Sequence, residues 1–147
     1  MVNPSFAGRS YPPTPPYEVG REQIREFAEA TGANPVHTDP EAARALGYPD
    51  VIAPPTFAII VSQRCEFQLV NDPEAGIDYS RVVHGEQTFQ HHRPIVAGDR
   101  LVSVLHVDAV RSVGAHSMVT TRSEISTEDG EAVCTASATI VVRGADA

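Results

Sequence analysis

From Arg81 to Arg143 the sequence is built of four runs rich in valine, threonine and isoleucine: RVVHGEQTFQHHRPI (81–95), RLVSVLHVDAVRSV (100–113), HSMVTTRSEIST (116–127) and EAVCTASATIVVR (131–143). Only VAGD, GA and EDG stand between them. Branched side chains suit a pleated, half-buried surface, and connections this short join antiparallel neighbours. Leu101, Leu105, Val107 and Ala109 fall on one face of their strand, and Ala132, Cys134, Ala136, Ala138 and Ile140 on one face of theirs. A sheet with one apolar face must be covered by another layer. The inward positions of the last strand are small, so whatever covers it is bulky and lies close.

The cover is FAIIVSQRCEFQLV, Phe57 to Val70. Its apolar positions Phe57, Ile60, Val61, Phe67 and Val70 are spread over more than one face, which predicts a helix buried over much of its surface; its branched residues leave a strand as the alternative. Two shorter helices precede it. REQIREFAEATG places Ile24, Phe27 and Ala28 on one face and ends at Gly32, a C-cap residue. DPEAARALG has Asp39 as N-cap, Pro40 in the first helical position and Gly47 as its stop. YPDVIAPPT (48–56) reads as a turn-rich loop, and YPPTPPYEVG (11–20) as an ordered extended entry segment. The expected architecture is of α+β class: a single domain over residues 1–147, with a long central helix wrapped by an antiparallel sheet. That is the hot-dog fold.

Several function classes are excluded or disfavoured. A net charge of −8 argues against a nucleic-acid or anionic-membrane partner. No run approaches the roughly 18 apolar residues of a spanning helix, and no leader pattern is visible, so a cytoplasmic location is expected. Cys65 and Cys134 are far apart and match no metal spacing; they read as buried thiols. His91 and His92 are neighbours and point to opposite faces of a strand, while His84 and His92 lie roughly 26 Å apart along one. No metal site and no cofactor are expected. Gly98 and Asp99 read as a hairpin turn, and Arg81, Arg93 and Arg100 around it as solvated turn charges.

Three segments carry a family resemblance: NPVHTDPEAARALGYPDVIAPPTF, HRPIVAGDRL and YPPTPPYEVGREQIREFAEA. Together, over about Phe6 to Arg143, they resemble the MaoC-type (R)-specific enoyl-thioester hydratases and dehydratases. Within that family they resemble most the A-type subunit of the actinobacterial two-subunit (3R)-hydroxyacyl-ACP dehydratase. The resemblance implies a ligand (an acyl-ACP or acyl-CoA thioester) and a partner. The assembly it implies is a homodimer or a heterodimer with a catalytic MaoC-like subunit, in fatty-acid-type metabolism.

Dehydrating a 3-hydroxyacyl thioester needs a base for the α-proton, an acid group beside the departing hydroxyl, and a donor for the charge that develops on the thioester oxygen. The family motif supplies these as Asp-x-Asn-Pro-(apolar)-His and a glycine in the loop before the long helix. Asn34, Pro35, Val36 and His37 fit the motif, making His37 the candidate catalytic residue. The aspartate position falls on Gly32, or one residue is deleted beside it; either way the carboxylate is missing. The oxyanion glycine position falls on Pro55, which has no N–H. The Thr56 N–H, at a helix start, is the substitute if the loop shifts. Asn34, Pro55, Thr56 and Phe57 are the expected substrate-binding residues; Asn34 reads first as a turn former, and Asp39 as a cap. The reading is therefore an acyl-thioester-binding dehydratase subunit with an incomplete motif. The alternative is a non-catalytic acyl-binding or stabilising protein. A hot-dog thioesterase fits less well, since Glu66 is the only acid on the long helix.

Overall fold

A computed structural model describes residues 1–145. Five antiparallel strands, β1 (Tyr17–Glu18), β2 (Val82–His91), β3 (Arg100–Val113), β4 (His116–Thr127) and β5 (Ala132–Val142), form one sheet in the order β1-β3-β4-β5-β2. The register runs from Leu101↔Thr127 to Val113↔His116 between β3 and β4, and from Val82↔Val142 to His91↔Cys134 between β2 and β5. Irregularities fall at His84/Glu86, Val107/Ala109 and Ile125/Ser126. Such bulges bend strands and increase twist, which curls the sheet. The helices are α1 (Arg21–Thr31), α2 (Pro35–Thr38), α3 (Pro40–Ala45) and α4 (Ala58–Val70), with 3-10 turns at Pro4–Phe6, Pro55–Phe57 and Tyr79–Arg81.

The helix expected from Phe57 is present, entered through the 3-10 turn. Ala58, Val61, Ser62, Cys65 and Leu69 are its buried positions. Their spacing of three and four makes one stripe, which lies in the concave side of the sheet. The opposing β5 residues Cys134, Ala136 and Ala138 are small and buried, as the sequence indicated. Two apolar clusters result. Phe57, Val61, Leu101, Ile125, Cys134 and Ala136 meet at the N-terminal end of α4; Phe6, Cys65, Leu69, Leu105, Val119 and Ile140 meet at the other. Burial pushes the Cys65 thiol up and the Cys134 thiol to about 11, so neither is a ready thiolate.

Two expectations are corrected. Phe67 is 39% exposed, its ring 5.7 Å from that of Tyr79, and does not pack under the sheet. Among the described residues the face of α4 towards β2 therefore carries an exposed Phe67, and the helix is one-sided rather than buried all round. The run beginning at Arg81 was expected to remain extended to Ile95, but β2 ends at His91. The His92 and Arg93 N–H groups both turn to the Val133 carbonyl (2.8 and 3.4 Å), and Pro94 has no N–H with which to continue.

The sheet's two edges differ. Along β3, the entry segment donates from Gly8, Tyr11 and Thr14 to the carbonyls of Val107, Leu105 and Ser103 (2.8, 3.0 and 3.0 Å) before β1 pairs with Leu101 and Arg100. The donors recur every third residue, the period of an extended polyproline chain; Pro12 and Pro13 fall between Tyr11 and Thr14, and Pro15 and Pro16 follow. The other edge, β2, has β5 as its only strand partner among the described residues.

Phe57 is 0% exposed and meets Tyr17 and Phe27 edge-on, with centroids 6.5 and 5.5 Å away. Phe57→Ala is expected to destabilise the fold by about 3–5 kcal/mol in denaturant unfolding; a loss below about 1 kcal/mol would contradict this packing.

Candidate functional site

Gly32 ends α1 at φ +123°, a backbone region that side chains rarely adopt, and turns the chain back. Asn34 then caps α2, its Oδ1 accepting the Val36 N–H at 3.2 Å, with Pro35 in the first helical position. His37 follows, in the last turn of α2. Asp39 accepts the Glu41 N–H at 3.0 Å and caps α3. The Asn-Pro and Asp-Pro pairs thus build two short helices around the histidine.

The loop from Tyr48 to Thr56 is fixed from three sides. Arg21 at the start of α1 grips Asp50 through two hydrogen bonds, 3.0 and 2.7 Å long, and this hydrogen bonding holds that carboxyl below the usual range. The Ala53 N–H donates to the Ile95 carbonyl at 2.8 Å, and the Ala97 N–H to the Val51 carbonyl at 3.0 Å. Ile52 is used twice by α2: its N–H donates to the Val36 carbonyl at 3.1 Å, and its carbonyl accepts from His37 Nδ1 at 2.7 Å. A carbonyl only accepts, so Nδ1 carries hydrogen and the neutral ring keeps its lone pair on Nε2.

His37 lines a cleft of about 510 Å³ with Ile52, Ala53, Pro55, Pro94 and Ile95, and with His91, His92 and Arg93. The two adjacent histidines diverge, as neighbours on a strand should, yet both border this cleft because the strand ends between them. His91 Nε2 donates to the Pro55 carbonyl at 2.7 Å, tying β2 to the turn that opens α4. His92 Nε2 donates at 3.2 Å to Thr135 Oγ1, which in turn donates to Glu124 at 2.7 Å. Sequence reasoning treated this pair only as a possible metal site and missed their place at the cleft. The signal was the proline two residues after His92, which ends the strand there. Among the described residues, no group of three or more His, Cys, Asp or Glu is arranged to hold a metal ion.

The expected substrate-binding residues separate. Pro55 lines the cleft; Thr56 is exposed beside it at the head of α4; Phe57 points into the core; Asn34 is occupied as a cap. Among the described residues no carboxylate lines the cleft. The arginines near it are engaged. Arg93 chelates Asp99 (2.8 and 3.1 Å) and meets Glu131, while Arg100 pairs with Glu18 and Glu128. Asp99 also accepts the Val96 N–H at 2.9 Å, and Gly98 has φ +98°, so the Gly-Asp pair is the turn the sequence suggested. A larger trough, of about 660 Å³, lies between the proline-rich segment and α4, beside Tyr17 and Arg64, and contains no histidine.

Comparison with known proteins places these features in context. Residues 5–136 match the model of the FAS1-like dehydratase domain region. A UPF0336 protein of Saccharopolyspora erythraea is 60% identical over 97% of this chain and 92% of its own length. Among solved structures, the (3R)-hydroxyacyl-ACP dehydratase complex HadBC of Mycobacterium tuberculosis is similar with a TM-score of 0.82 and 33% identity, over 92% of this chain and 96% of that one. A MaoC-like dehydratase is similar with a TM-score of 0.87 and 34% identity, over 97% of this chain and 43% of that one.

The hydrogen bond to Ile52 is testable directly. Long-range proton–nitrogen correlation of the neutral His37 ring is expected to show the proton on Nδ1; a ring protonated at Nε2 would contradict the geometry.

Proposed function

The chain belongs to the FAS1-like dehydratase-region family of MaoC-like hot-dog proteins, and from that premise we propose that residues 1–147 form one cytoplasmic domain that binds acyl thioesters and serves as a subunit of a (3R)-hydroxyacyl-thioester dehydratase, or enoyl hydratase. The observation that carries the reading is His37. Its ring is fixed through Nδ1 by the Ile52 carbonyl, which leaves Nε2 unbonded, and the residue lines a cleft walled by Ile52, Ala53, Pro55, Pro94 and Ile95. An oriented imidazole with a free lone pair is suited to taking the α-proton of an acyl thioester. Apolar walls suit an acyl chain and strengthen electrostatic effects by excluding water. The thioester is an acyl-ACP or acyl-CoA.

Two parts of the reaction are not supplied by this cleft. Gly32 offers no acid, and Pro55 offers no N–H to the oxyanion. Both are explained if the chain acts with a catalytic MaoC-like subunit, and HadBC, a dehydratase complex, is the precedent. The same two gaps favour a second reading, a non-catalytic acyl-binding or stabilising hot-dog protein. A thioesterase is less well supported, since it needs a nucleophile or base facing the cleft from α4, and none does so.

On the first reading the purified chain hydrates crotonyl thioesters slowly. Loss of one oxyanion donor alone costs about 10²–10³ in rate, so turnover is expected to fall at least that far below an intact (R)-hydratase. His37→Ala is expected to remove the remainder. Addition of a family member with a complete Asp-x-Asn-Pro-x-His motif is expected to give a heterodimer with faster turnover than either chain alone. A partner fully active without this chain would leave only the non-catalytic reading.

A further inference from the structure

The trough between the proline-rich segment and α4, about 660 Å³, is larger than the cleft at His37 and takes no part in the chemistry above. Its size suits a small organic molecule rather than a single ion. One wall is Pro13, Pro15 and Pro16, whose rings fix the backbone and present flat apolar faces. That wall is held to the sheet: the Tyr11 and Thr14 N–H groups donate to the Leu105 and Ser103 carbonyls, and Tyr17 pairs with Leu101. The opposite wall is the stripe Val61, Arg64 and Gln68 of α4. Both walls belong to ordered elements, so the trough exists before any ligand enters, and little ordering opposes binding.

Charge within the trough is unbalanced. Of its lining residues Glu18, Arg64 and Arg100 are charged. Glu18 pairs with Arg100, which also meets Glu128. Among the described residues Arg64 meets no carboxylate and its guanidinium makes no hydrogen bond; its carbon lies over the Tyr17 ring, 4.8 Å from the centroid. Burial pushes the Tyr17 phenol up while the Arg64 charge pulls it down, so the hydroxyl stays protonated at neutral pH and is a donor. That hydroxyl makes no hydrogen bond among the described residues. Gln23 is held through its oxygen, which accepts the Gly20 N–H at 2.8 Å, and its amide N–H groups have no partner among the described residues. A guanidinium, a phenol and an amide therefore border one trough as donors without acceptors, in a chain whose net charge is −8.

We propose that this trough binds a planar carboxylate, an aromatic ring carrying one carboxylate group. Arg64 takes the carboxylate, since its planar fork matches two carboxylate oxygens, and Gln23 and Tyr17 are the further donors. The ring lies against the prolines and Val61. Charge selects this class of ligand. With Glu18 and Arg100 cancelling, the lining carries a single positive charge, which one carboxylate balances. A phosphate monoester carries about −1.5 to −2 and would leave negative charge unmatched beside Glu18. The site is independent of the dehydratase reading, since no residue of the trough lines the His37 cleft.

The probe is 2-naphthoate, with 2-naphthamide as its uncharged counterpart and 2-naphthyl phosphate as the more highly charged one. Titration followed by amide NMR of the full chain is expected to move the signals of Tyr17, Gln23 and Gln68 and to leave those of His37, Ile52 and Ile95 in place. The amide is expected to bind at least about 10-fold more weakly, the loss that follows removal of one charge-assisted pair. The phosphate is expected to bind no more tightly than the carboxylate. Arg64 is exposed on α4, so Arg64→Gln is expected to keep the spectrum of the folded chain and to weaken 2-naphthoate by about 10-fold or more. His37→Ala is expected to leave that affinity unchanged. The acid–amide comparison uses the unsubstituted chain, so it decides the matter even if Arg64→Gln fails to fold. No binding of 2-naphthoate at millimolar concentration overturns the proposal, as does equal affinity for acid and amide. Full affinity in a folded Arg64→Gln, or loss of binding in His37→Ala, overturns it equally. Tighter binding of the phosphate overturns the assignment of a carboxylate. Crotonyl-thioester hydration is a separate measurement, and its failure leaves this site untouched.

Discussion

Cys134, Ala136 and Ala138 are small where β5 passes beneath α4, and the helix can lie close against the sheet only because they are. Much else follows from that depth. It seats Phe57 between Tyr17, Phe27 and the sheet, which fixes the 3-10 turn at Pro55 in front of the helix. The turn in turn brings the Pro55 carbonyl to His91 and sets residues 51–53 alongside residues 95–97. His37 hangs from the middle of that segment by the Ile52 carbonyl. A bulkier residue at position 136 would lift the helix and displace the histidine without touching it; close-packed interiors transmit such changes.

Much of this was legible from the residues, for reasons that differ by element. The strands were readable because alternation and short polar turns are local signals. α1 and α3 were readable because Gly32, Asp39 and Pro40 state where helices stop and start. What failed depended on neighbours distant in sequence. Phe67 resembles Phe57 in kind, but only the sheet's curl decides which of them is covered. The end of β2 is set by two N–H groups sharing the Val133 carbonyl, some forty residues away in the chain. At the site, His37 and the capping of Asn34 and Asp39 were visible as a motif. The meeting of His37 with His91 and His92 was not, because no local pattern joins residue 37 to residue 91.

The charges near the cleft are mutually engaged. Arg93 is held between Asp99 and Glu131, and Arg100 between Glu18 and Glu128. Pairs of this sort at a surface add little to stability individually, but they define the turn at Gly98 that supports Ile95 and so one wall of the cleft. Among the described residues they also leave the cleft without a free guanidinium. With a net charge of −8 over the chain, the protein exerts no long-range pull on an anion; the apolar walls are what the cleft offers a ligand.

The proline-rich entry segment gives the sheet an asymmetry with a further meaning. In step-growth polymerisation, a unit with two reactive ends makes chains of unlimited length, while a unit with one makes pairs and stops. A sheet open along both β3 and β2 would be a unit of the first kind, able to stack into fibrils. Gly8, Tyr11 and Thr14 close the Ser103–Val107 stretch of the β3 side with an extended segment that prolines disqualify from templating another. With that stretch closed, β2 is the longer open edge among the described residues, and a unit with one reactive edge makes pairs and stops.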